Sequence, residues 1–158
     1  MSQTPPAPPS AAAAPKAPTD LGERLEALGR ELGSREAPYR DELARARGVA
    51  EKLRDRVADA LGRFHRAAAA AGAPQLEAVV SETRADDKHL RAVQFDMTRG
   101  RYRAIVTVKA RGEVTLVGPF RVGKDEGPCR TFPIDSESEI AGALAGFLES
   151  FLEQAATP

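Results

Sequence analysis

The strongest constraint on this chain is a long run of one repeat that gives way abruptly to another. From Tyr39 to Ala71, Leu43, Ala46, Ala50, Leu53, Val57, Ala60, Phe64 and Ala67 recur at alternating steps of three and four. That spacing lines one side of an α-helix. Pro38 stands at or just before its first turn, where a missing N–H costs nothing. At about 1.5 Å per residue the helix would be roughly 50 Å long, so its apolar side needs cover. Gly72-Ala73-Pro74 ends it by the glycine-then-proline stop, and beyond that point the period drops from 3.6 to 2.

Two covers are open to such a helix. Taking Leu43 as heptad position a, the flanking e and g sites are Arg47, Val49, Arg54, Arg56, Leu61 and Arg63. Four are basic and none is acidic, so a parallel self-pair would set like charges across its seam. Val49 and Leu61 also widen the apolar stripe beyond a narrow seam. The pattern therefore favours packing on this chain's own sheet and first helix, with dimerisation through part of the helix the alternative.

Period-2 segments supply that sheet. Leu76, Ala78 and Val80 mark a first strand to about Thr83, and Ala85-Asp86-Asp87-Lys88 a turn. Val93, Phe95 and Met97 form a second strand, Tyr102, Ala104, Val106 and Val108 the inward face of a third. Arg99-Gly100 and Arg111-Gly112 make the tight turns. Val114, Leu116 and Val117 open a fourth strand, which Gly118-Pro119 bends before Phe120 and Val122. A fifth lies around Cys129–Phe132. Connections this short imply antiparallel neighbours, hence a meander.

Helices close both ends. Asp20 with Glu23 caps a first helix whose stripe is Leu21, Leu25, Leu28 and Leu32, ending near Gly33-Ser34. Gly22 and Gly29 each weaken it by about 1 kcal/mol relative to alanine, so it should be stable only when docked. Asp135-Ser136 with Glu139 reads as a capping box for the last helix, where Ile140, Leu144, Phe147, Leu148, Phe151 and Leu152 share a face. Gly142 and Gly146 lie opposite that face and are candidate interface residues. Before the first helix, six prolines among the first 18 residues exclude a helix and leave little to bury. That arm is expected to be disordered, a solubilising tail or a ligand for a proline-binding domain.

The fold class is therefore α+β: two N-terminal helices, one of them long, a four- to five-stranded antiparallel β-meander, and a C-terminal amphipathic helix on the sheet. The expected divisions are an arm over 1–18, a helical segment over 19–72, and sheet plus last helix over 73–155, forming one globular unit with 19–72. The element order alone is similar to that of double-stranded-RNA-binding domains and of the dimeric chaperones of secretion systems. No residue motif accompanies the likeness. The last helix is also acidic where an RNA-binding helix would present positive charge to phosphate.

Chemistry-bearing residues are few among the 158. Gly118 to Lys124 matches GxxxxGK, but Asp125 follows where a P-loop needs Ser or Thr, and strands flank it. His65 and His89, the only histidines, sit on different elements, and His65 falls on the polar side of the long helix as a surface residue. No catalytic dyad or metal-ligand spacing appears. Cys129, the single cysteine, beside Arg130, reads as part-buried and structural. It excludes an intrachain disulfide and fits a reducing compartment. Asp86 and Asp87 read as turn acids. No leader-like segment or membrane-length apolar run is visible, so a cytoplasmic protein is the expectation.

Charge is the one uneven property. Lys+Arg and Asp+Glu total 23 each, yet residues 88–130 hold ten bases and four acids, while Asp135 onward has five acids and no base. Arg101, Arg103 and Lys109 fall on the sheet face opposite Tyr102, Ala104, Val106 and Val108. The leading expectation is a non-catalytic binding or adaptor protein working through protein–protein contacts as a homodimer, with no cofactor and no metal. The alternative is a nucleic-acid or anionic-surface binder using Arg99, Arg101, Arg103, Lys109, Arg111 and Arg121. Stacking aromatics, which single-stranded nucleic acid would want, are missing from that face.

Overall fold

The computed structural model describes residues 3, 20–86, 91–123 and 127–157. The rest of the N-terminal arm, Asp87, Lys88, His89 and Lys124–Glu126 lie outside the described residues. The chain divides into two units, Met1–Pro38 and Tyr39–Pro158.

In the first unit, helix α1 spans Leu21–Glu36. The Asp20 carboxylate accepts the Glu23 N–H at 3.2 Å, as the cap pattern predicts. The helix runs two residues past Gly33-Ser34, because Gly33 keeps a helical conformation and its carbonyl accepts the Ala37 N–H at 3.0 Å. Leu21, Leu25, Leu28 and Leu32 are 71%, 57%, 46% and 44% exposed.

The second unit opens with α2, Tyr39–Ala70. It ends as the sequence predicts. Gly72 takes a φ of +92°, the Ala73 N–H reaches back to the Ala68 carbonyl at 2.8 Å, and the Gly72 N–H to Ala69 at 3.0 Å. These bonds satisfy carbonyls that a helix end otherwise leaves bare. The buried face is Ala46, Ala50, Leu53, Val57 and Leu61. It departs from the predicted stripe in the last third, where Leu61 replaces the exposed Ala60. A helix of 3.6 residues per turn drifts off a 3.5-residue stripe over this length, and the drift carries His65 toward the sheet.

Six strands follow: β1 Val79–Val80, β2 Arg84–Asp86, β3 Ala92–Arg99, β4 Tyr102–Lys109, β5 Glu113–Arg121 and β6 Cys129–Pro133. All pairings are antiparallel. The path is β1-β3-β4-β5-β6, and β2 also pairs with β3. The single first strand expected over Leu76–Thr83 is instead a 3₁₀ turn, Pro74–Leu76, followed by β1 and β2, which share one edge of β3. Ala85 and Asp86, expected in a turn, are strand residues facing Val93 and Ala92. Between β4 and β5 the register slips at Gly118-Pro119, so that two β5 residues oppose Ala104. Gly118 holds φ +104°, and a Cβ there would lie 3.0 Å from the Arg103 carbonyl. Glycine is required at that position. The Gly118–Pro119 peptide is cis.

Helix α3, Glu137–Ala156, closes the fold. Its capping box is not formed: Ser136 stands at the N-cap without a side-chain hydrogen bond, and Asp135 instead accepts from Arg45 of α2 at 2.7 Å. Ile140, Leu144, Phe147, Leu148, Phe151 and Ala155 are buried. They share one core with the α2 face and with Val93, Phe95, Met97, Ala104, Val106, Val108, Val114, Leu116 and Phe132 of the sheet. Both helices therefore lie on the same side of the meander. Neither covers the other.

Candidate interaction surfaces

The register defines what the sheet face turned away from α2 and α3 presents. Asp96, Ile105, Val117 and Cys129 form one cross-strand row, and Gln94, Thr107, Thr115 and Thr131 the next. Ala92, Lys109, Glu113 and Pro133 form a third. The Thr115 and Thr131 hydroxyls are 3.1 Å apart and bond each other. The two central rows hold a single charged residue, Asp96.

The Asp96 side chain is only 11% exposed. Arg103 Nε donates to it at 2.7 Å and an Arg84 guanidinium nitrogen at 3.4 Å. The Ser81 hydroxyl oxygen accepts the Asp96 backbone N–H at 3.0 Å. Burial on its own would raise the Asp96 pKa. The Ser81 side chain and the two arginines outweigh it and hold the group below its ordinary 3.8. This cluster was within reach of the sequence: a hairpin turning at Gly100 sets Asp96 diagonal to Arg103 on one face.

The six nominated bases do not gather into one surface. Arg103 and Lys109 project from the face turned away from α2 and α3, where Arg103 serves Asp96. Lys109 and Arg111 flank Glu113 at 3.8 and 2.8 Å. Arg99 turns to the helix side, where its guanidinium donates to the Ala155 carbonyl of α3 and, at 3.2 Å, to the Gln75 carbonyl. Arg121 lies over the Tyr102 ring at 5.9 Å, and Arg101 is exposed in the hairpin turn.

Gly142 and Gly146 line a groove of about 260 Å³ between α3 and the β5–β6 end, with Pro119, Pro128 and Arg130 across it. A Cβ at either glycine would meet nothing within 4 Å. The fold of this chain does not require them. Further gaps of about 290 and 240 Å³ run between α2 and α3, beside Leu53 and Ile140 and beside Leu61 and Leu148.

His65 is not a free surface group. Its Nε2 accepts the backbone N–H of Ala78 at 3.0 Å. Cys129 is an exposed free thiol rather than a part-buried one, because it lies on the outermost strand. Among the described residues no three His, Cys, Asp or Glu side chains are grouped to hold a metal ion. No described helix is long and apolar enough to cross a membrane.

No family model, no curated protein and no solved structure matches this chain. Its surfaces alone carry the functional argument.

Proposed function

We propose that this chain is a non-catalytic binding or adaptor protein that acts through protein–protein contacts as a homodimer. The observation behind the reading is the α1 stripe, four leucines on one side of a helix and each at least 44% exposed. A continuous apolar strip on a chain with 29% charged residues marks a contact surface. The anionic-partner alternative draws less from the geometry, since Arg103, Lys109 and Arg111 already face Asp96 and Glu113. A reducing compartment, the cytoplasm, suits the exposed Cys129 thiol.

Light scattering on the full chain tests this, with a mass of twice 16.9 kDa expected. Binding to DNA, RNA and anionic vesicles is followed alongside from about 50 to 200 mM salt. Affinity that falls steeply over that range would move the reading to an electrostatic binder.

A further inference from the structure

The α1 stripe has the geometry of a seam rather than of a general sticky patch. Leu21, Leu25, Leu28 and Leu32 are spaced four, three, four, which alternates heptad positions d and a. The residues beside the seam then decide how two copies would meet. Arg24 and Glu31 occupy the g positions, and Gly22, Gly29 and Glu36 the e positions.

In a parallel pair g faces e of the partner, setting Glu31 against Glu36 and Arg24 against a glycine. In an antiparallel pair g faces g and e faces e. Arg24 then meets Glu31 of the other copy, twice by symmetry, sharing a carboxylate that Arg35 of the same helix already holds at 2.9 Å, and the glycines meet on the opposite flank. A Cβ at Gly29 would meet nothing within 4 Å among the described residues, so the bare backbone there leaves room for a close neighbour. Charge complementarity thus selects one occupant in one orientation.

We infer that α1 is the homodimer seam, in which two copies of this chain pair their α1 helices antiparallel through Leu21, Leu25, Leu28 and Leu32. The inference rests on the proposed homodimer and names its contact. Two heptads make a short seam, so the dimer is concentration-dependent.

Sedimentation equilibrium of the full chain across a wide concentration range tests it. Leu25→Glu with Leu28→Glu sets acids in the seam and should weaken the dimer by more than about tenfold. Both substitutions lie in the first unit, and an unchanged melting transition of the Tyr39–Pro158 unit confirms that the fold persists. Glu31→Arg reads the orientation: it weakens an antiparallel pair, by about threefold for two exposed contacts, and strengthens a parallel one. Adding Arg24→Glu to it should restore the antiparallel dimer. A dimer indifferent to the leucine substitutions overturns the α1 seam and leaves the homodimer reading standing. A wild-type chain that stays monomeric throughout overturns both. Tighter association of the Glu31→Arg chain overturns the antiparallel arrangement.

Discussion

Asp96 of β3 and Arg103 of β4 hold each other at 2.7 Å on the sheet face that α2 and α3 leave uncovered. The pair is diagonal across the hairpin, and Arg84 of β2 joins it at 3.4 Å. It ties three strands together at a carboxylate that water barely reaches.

Removing that carboxylate should therefore cost stability. Asp96→Ala leaves Arg103 and Arg84 facing each other without their counter-charge, and a loss of about 1–3 kcal/mol is expected in urea denaturation at pH 7. The pH dependence follows from the depressed pKa. A group held below its unfolded value stabilises the fold above that value and stops doing so as pH falls through the folded one. The wild-type advantage over Asp96→Asn should be present at pH 7 and vanish below the ordinary carboxylate range. An advantage that grew on acidification would contradict this.

His65→Ala should destabilise the Tyr39–Pro158 unit by about 1–3 kcal/mol, because it strands the Ala78 N–H in a site only 4% exposed. Thermal melts give the measurement. His65→Gln, which keeps an acceptor on a side chain of similar length, should recover part of the loss.

Arg99 braces the end of α3, donating to Ala155 and Gln75 together. A lysine ammonium is a point charge and lacks the planar fork, so Arg99→Lys should fray the last turn of α3 and lower stability by about 1 kcal/mol. Faster amide hydrogen exchange confined to the C-terminal turn and the Pro74–Leu76 segment is the expected signature. Global destabilisation with no local gradient would argue for another role.

Two glycines should respond in opposite directions. A Cβ on Gly127 would lie 2.8 Å from the Gly118 Cα and 3.0 Å from the Phe120 Cβ, so Gly127→Ala should cost about 1–3 kcal/mol. Gly146 faces open space inside a helix, and Gly146→Ala should add up to about 1 kcal/mol. Chemical denaturation of both variants decides it.

The parts of the fold readable beforehand are those that local repeat dictates. The stop at Gly72, the alternation Val93-Phe95-Met97 and the hairpin at Gly100 each depend on a few neighbouring residues, and each appears where the pattern places it. Misplaced features depend on residues far apart in the chain. Ser136 lacks its side-chain cap and Asp135 turns to Arg45, 90 residues away. His65 turns inward because slow rotation along a 32-residue helix moves the buried face by a residue. The segment before β3 splits in two because Val79 and Ala85 both find partners on the same strand. For the candidate surfaces, the leucine stripe was visible as a pattern and its exposure was not. The basic residues could be counted, but not their division among Asp96, Glu113 and Ala155.

Two short strands occupying one side of β3 have a bearing on how the molecule behaves when crowded. With Val79–Val80 and Arg84–Asp86 in place, a foreign chain seeking to extend the ladder finds strands of only two and three residues on that flank and the Cys129–Pro133 margin on the other. That margin is five residues long, begins just after Pro128 and finishes on Pro133. Proline offers no amide proton to a newcomer, so fibrillar growth from either flank has little template to start on.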